Sequence, residues 1–567
     1  MVEPIPASKG GPQAHRRLLL APVMLLALTC WTPSGAVEPP RIYAITHATV
    51  VPEPGTKLTD GVVILRDGLI EEVGTGLQVP PDAVEIEAKG LWVYPGLLDA
   101  DSRLGFKDER PVSPAGGPFL RGGGRQAPRT GPVHSLPLIH PEARTEDQLL
   151  PFTGDAKRDM ERLRNLGFTA VLTSPRSGLL EGDSVAILLA ADIPVAGMIL
   201  RENAAQNASF EHGRFGQGYP TSLMGSVAAL RQVFLDTQRF MTWSKRYQAD
   251  PEGLRRPEMR AAYEALIPVL SRRQVLIFHT DDPRDSLLAG KLADEFNLKI
   301  LISTRSHEWE ISDALAAAGR NLIVSMAFPD KPKVNDDDEA LSIDTDTLRR
   351  YLEAPAGPAR LYKAGVRFAF TLNGLKNSAD LPGQMRKIME AGLPEDVALA
   401  AWTTIPAKFL GLDRVVGRLK PGQIANVLVA SGPLFAEKTI LSQVFVDGVR
   451  YDIEKKKKLQ GNPDAVVDPT GEWSVTMEIF GRTIQRNWTL SGKKGEYYGT
   501  AETQSGTVAF DSVELAGNVL TVRFPSRGGR PGMEVTVIIE GNTFKGTAEM
   551  GPRSVEIQGT RRPEGDA

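Results

Sequence analysis

The chain has 567 residues, of which 41% are hydrophobic and 24% charged, with a formal net charge of −3. That length supplies two or three folded cores, and so even a charge balance excludes the basic footprint of a nucleic-acid-binding protein. Glycine (55) and proline (42) are both abundant, which suits a loop-rich barrel or β architecture better than a helical bundle.

Residues 1–36 read as a secretory leader. His15-Arg16-Arg17 gives a positive start, Leu18 to Trp31 is apolar but short for a permanent span, and Ser34-Gly35-Ala36 supplies a small-residue cleavage pattern. Cleavage there starts the mature chain at Val37 and predicts a secreted or periplasmic protein with no membrane attachment afterwards. Cys30 is the one cysteine, and Thr29 before it makes a poor lipid-attachment motif. A chain beginning at Val37 therefore has neither disulfides nor thiolate metal ligands.

Residues 41–92 form a small β-unit in which two apolar runs flank Arg66-Asp67-Gly68, an Asp-Gly hairpin signal. From 93 to 405 short apolar runs alternate with amphipathic helices. Met160, Leu163 and Leu166 recur at helical spacing and stop at Gly167, a C-cap, before Ala170-Val171-Leu172. Val275 to Phe278, Ile300 to Ile302, Leu322 to Val324 and Val366 to Thr371 are continuous apolar strands of the kind buried on both faces of a parallel sheet. The fold class is α/β, a (β/α)8 TIM-type barrel whose loops at the strand C-terminal ends carry any site. The Gly- and Pro-rich stretch 107–150 reads as a partly ordered lid.

Residues 406–455 return to β character and join 41–92 in a composite β-sandwich flanking the barrel. A linker follows over 456–470. Short alternating segments from 471 to 567 then predict an all-β barrel or sandwich with no evident catalytic chemistry.

Several segments carry a resemblance. Glu87-Ala88-Lys89-Gly90-Leu91-Trp92-Val93-Tyr94-Pro95-Gly96, then Leu97-Leu98-Asp99, Ala407-Lys408-Phe409-Leu410-Gly411-Leu412, and Gly417-Arg418-Leu419-Lys420-Pro421-Gly422-Gln423-Ile424-Ala425-Asn426-Val427 resemble the amidohydrolase superfamily, in particular its imidazolonepropionase-like secreted branch. The likeness spans roughly residues 41–455. It implies a divalent metal held by His-x-His on the first barrel strand, histidines after strands five and six, and an aspartate after strand eight that takes a proton from metal-bound water.

Carried over by position, Asp101 and Arg103 stand where the paired histidines are implied. His279 matches the fifth-strand ligand, His307 the sixth, and Asn373 replaces the catalytic aspartate. A guanidinium has no lone pair to offer a metal, and an amide cannot take a proton at ordinary pH. Arg103 beside a dication at about 4 Å would repel it by about 8 kcal/mol at an effective dielectric of about 20. No bridging lysine or glutamate is evident on strand four.

Three readings follow. The first is a noncatalytic or weakly active protein with an eroded metal site and no cofactor. In it Arg103, held by Asp99 or Asp101, replaces the cation and binds an anionic small molecule through its planar fork. The second is an active mononuclear hydrolase of non-peptide C–N bonds, amide or cyclic imide, with zinc or another divalent metal on His279, His307 and Asp101. The third is a scaffold serving the C-terminal β-domain. A homo-oligomer is compatible with each. His134 and His140 are read as loop-packing residues, His47 as structural, and His212 as a candidate contact to substrate or another subunit.

Overall fold

The computed structural model describes residues 42–106, 133–149, 151–191, 193–213, 219–305, 307–332, 341–453, 461–462, 465–479, 482–493, 495–503, 506–525, 533–550 and 553–562. The leader (1–36) and residues 107–132 of the expected lid lie outside the described residues. Among those described, no helix is long and apolar enough to cross a membrane.

The chain opens with β1 (Ile42–Val50), β2 (Leu58–Arg66), β3 (Leu69–Thr75), β4 (Val84–Glu87) and β5 (Trp92–Pro95). Asp67 and Gly68 both take positive φ between β2 and β3, the two-residue turn whose twist matches paired strands.

The barrel follows: β6 (Leu97–Ser102), β7 (Phe168–Thr173), β8 (Leu180–Leu188), β9 (Ile199–Ser209), β10 (Val275–His279), β11 (Ile300–Thr304), β12 (Asn321–Ser325) and β13 (Arg367–Thr371). They pair in chain order, and β13 comes back beside β6, where Thr371 Oγ1 donates to the Asp101 carbonyl at 2.8 Å. The helix Gly154–Asn165 stops as its spacing predicts: Gly167 sits at φ +96°, and its N–H donates to the Arg164 carbonyl.

One strand departs from the expected regular pattern. β8 runs antiparallel to both β7 and β9. Only residues 174–179 join β7 to β8, far short of the dozen or more that a parallel crossover requires, so the chain can only turn back as a hairpin. This inverted strand is buried along its length. Residues 133–149, the described part of the expected lid, are pinned across it. Thr145 N–H donates to Asp183 Oδ1 at 2.7 Å, and Thr145 Oγ1 donates to the Asp183 carbonyl.

β14 (Val427–Ala430), β15 (Leu441–Val446) and β16 (Val449–Asp452) then return to the first unit, giving one eight-stranded sheet in the order β16-β15-β14-β5-β1-β2-β3 with β4 also on β1. Alternation along β14 explains its wholly apolar sequence. Val427 and Val429 face the sheet's own core with Ile45, Leu65 and Phe445, while Leu428 and Ala430 face the barrel.

The C-terminal unit contains β17 (Gly471–Ile479), β18 (Arg482–Lys493), β19 (Glu496–Thr503), β20 (Gly506–Ala509), β21 (Ser512–Ala516), β22 (Val519–Arg523), β23 (Met533–Glu540), β24 (Thr543–Met550) and β25 (Arg553–Arg561). Pairing runs β18-β17-β25-β24-β23-β22-β21-β19, and β18 also pairs with β19. Of the two expected β forms, the closed barrel is the one present.

Candidate active-site cleft

The C-terminal ends of the barrel strands surround a cleft of about 480 Å³, lined among others by Arg176, Glu181, Glu211, His279, Arg305 and Asn373. Asp99 and Asp101 stand beneath it on β6, both 1% exposed.

Asp101 is fully engaged. Arg176, from the turn between β7 and β8, forms an ion pair with its carboxylate, and Ser303 Oγ donates to Oδ2 at 2.5 Å. His279 Nδ1 lies 3.5 Å from the same oxygen. Burial alone would raise this carboxyl. The Arg176 and His279 charges, with hydrogen bonds from His279 and Ser303, overturn that effect and hold it well below the usual carboxylate range. Asp99 has no such cation. It accepts from Asp101 N–H at 3.1 Å and Leu372 N–H at 3.3 Å, yet burial dominates and pushes it up to about 6.

His279, at the end of the fifth barrel strand as the motif implies, is held between carboxylates. Its Nε2 lies 3.9 Å from Glu181 Oε2 and 3.3 Å from Asn207 Oδ1. Glu181 is 4% exposed, and burial raises its carboxyl.

Asn373 follows the eighth strand and lines the cleft; its N–H donates to Thr371 Oγ1 and its carbonyl accepts from Ser325. His307 lies after the sixth strand, where it caps the 3-10 turn Glu308–Ile311 and stands outside the described cleft wall, half-buried. Burial lowers its pKa. Arg103, just past β6, is also absent from that wall, and the guanidinium on Asp101 belongs to Arg176. The structure thus brings together Asp99, Asp101, His279 and Asn373, and leaves Arg103 and His307 apart. His212 does line the cleft, whereas His140 bonds the Ser177 carbonyl and His134 packs edge-on to Tyr263.

Arg176, Glu181, Asn207 and Ser303 were not singled out by sequence. Arg176 follows the carboxyl end of β7, and Glu181 reaches the cleft because β8 is inverted. Glu181 lies at the start of its strand, and an antiparallel strand starts where its parallel neighbours end. The five-residue gap between Thr173 and Leu179 was the one available signal.

Comparison with known proteins agrees with this architecture. The Amidohydrolase family profile matches residues 354–455. Over 497 residues the chain is 23% identical to the amidohydrolase tasK of Hapsidospora irregularis, covering 78% of this chain. It spans about half (47%) the length of that relative. An amidohydrolase from Thermotoga maritima MSB8 superposes with a TM-score of 0.58 at 24% identity, over 72% of this chain and all of that one. A putative prolidase from Bifidobacterium longum gives 0.43 at 17% identity, over 72% of this chain and 94% of that one.

Proposed function

We propose that the chain is an exported member of the amidohydrolase superfamily with an eroded metal site, noncatalytic or weakly active, in which an internal guanidinium stands where the family's ion is implied; the matches to an amidohydrolase family profile and to amidohydrolases support this reading. The fold implies a divalent ion shared by first-, fifth- and sixth-strand groups. The donor set here does not fit one. The first-strand carboxylate is already bonded to Arg176, His307 stands outside the cleft wall, and Asn373 cannot accept a proton. The described residues include no group of three or more histidine, cysteine or carboxylate side chains disposed to hold an ion.

The observation that carries this reading is the Arg176–Asp101 pair. It supplies inside the protein the positive charge that a buried carboxylate demands. A cation held by the fold needs no ligand exchange, and it gives no acidified water for attack on a C–N bond. What remains is a small-molecule cleft on an inherited hydrolase scaffold.

Elemental analysis of the full chain, purified without chelators, tests the proposal. Zinc, iron, manganese, cobalt and nickel should together fall far below one ion per chain, and the intact mass of exported protein should correspond to a start at Val37. One tightly bound ion per chain would overturn the resident-guanidinium reading and restore the metal-dependent hydrolase.

A further inference from the structure

We infer that the cleft selects a cationic small molecule, a primary amine or diamine, rather than the anion that a lone arginine at its floor would favour. The inference rests on the reading of the cleft as a metal-free ligand site and adds the chemical class of what enters it.

Charge is the first ground. The cleft wall carries four carboxylates, Glu181, Glu211, Asp281 and Asp285, against two guanidiniums, Arg176 and Arg305. Each guanidinium already faces a carboxylate: Arg176 pairs with Asp101 beneath the floor, and Arg305 Nε donates to Asp281 Oδ1 at 2.8 Å. Pairing them off leaves Glu181, Glu211 and Asp285 on the wall without a guanidinium partner among the described residues.

The second ground is independent of the count. Glu181 is 4% exposed, it lines the cleft, and among the described residues its Oε2 accepts no hydrogen bond. Among the described residues the basic nitrogen within 4 Å of it is His279 Nε2, at 3.9 Å, beyond hydrogen-bond reach. A buried carboxylate oxygen without a donor is costly, and such a group on the wall of an open cleft calls for a donor from the ligand. An alkylammonium supplies three N–H donors and a positive charge on an apolar stem. Glu211, whose Oε2 is held by the Gly178 N–H at 2.6 Å, and Asp285 at the rim are placed to take a second ammonium.

Isothermal titration calorimetry of the full chain tests this with 1,4-diaminobutane, against succinate and 1,4-butanediol as the anion and neutral species of matched length. The diamine should bind with a Kd below about 1 mM and the other two should not. Glu181→Gln should weaken the diamine tenfold or more, and Asp285→Asn by two- to threefold. Circular dichroism melts of both variants check that the fold persists. Preferential binding of succinate, silence with the diamine, or diamine affinity untouched by both substitutions would each overturn the inference. Metal content measured on the same preparation separates the two proposals: a metal-free chain that ignores the diamine sinks only the ligand class, whereas one ion per chain sinks the reading beneath it.

Discussion

In the C-terminal barrel the inward positions are Trp473, Val475, Trp488, Leu520, Val522, Val537 and Phe544, all essentially inaccessible. At the cleft end of the other barrel the buried side chains include Asp99, Asp101, Glu181, Asn207 and Ser303. Both are closed rings of strands, but they depend on different physics. The first is held by volume and apolar area, so its tolerance follows packing. The second carries charge out of water, so each group's worth depends on whether its partner is present. Single substitutions should separate the two.

The largest effect is expected at the resident cation. Arg176→Ala leaves the Asp101 carboxylate buried with only Ser303 and His279 beside it, and should cost roughly 3–5 kcal/mol, read as a lowered urea midpoint. Replacing both partners by neutral groups of similar size, Arg176→Met with Asp101→Asn, should cost less than the single change. A double variant no better than Arg176→Ala would mean that the pair is not what compensates the buried charge.

Next comes pH. Burial raises native Asp99 to about 6 from an ordinary value near 4. Its protonated form is therefore favoured in the folded chain. That stabilisation is complete below about pH 4 and is lost as pH rises through 6, a decline of up to about 3 kcal/mol. Unfolding free energies measured from pH 4 to 7 should show it, and Asp99→Asn should flatten that limb. The neighbouring Asp101 acts with opposite sign, since its depressed carboxyl contributes stability above about pH 4 that is lost on acidification. Two residues apart on one strand, the aspartates differ because only one has a guanidinium.

Much of this architecture was legible in the residues. The Asp67-Gly68 turn, the stop at Gly167 and the alternating apolar runs are local signals, and local geometry follows them. Placement of His279 and Asn373 after the fifth and eighth barrel strands was also readable, because strand order carries it. The inversion of β8 was not, since direction depends on the length of a connection of which only the first end, Ala170-Val171-Leu172, reads as a strand. With it went Glu181, and the guanidinium on Asp101 comes not from Arg103, near in sequence, but from Arg176 after the neighbouring strand. Which of two arginines meets a carboxylate is a tertiary fact that spacing does not encode.

The smallest effect sharpens the contrast from the apolar side. Trp473 and Trp488 are both fully buried in the C-terminal barrel, but their indole N–H groups differ. Trp473 Nε1 donates to the Pro469 carbonyl at 2.9 Å, whereas among the described residues Trp488 Nε1 finds no acceptor. Replacing either by phenylalanine removes a similar volume. Only Trp473→Phe also strands a buried carbonyl, so it should cost more than Trp488→Phe by about 1–3 kcal/mol, read from urea unfolding followed by circular dichroism. Equal costs would mean that hydrogen bonding contributes nothing measurable inside this barrel. A larger cost at Trp488 would mean that its N–H has an acceptor, and the C-terminal barrel would then share with the cleft a dependence on paired polar groups.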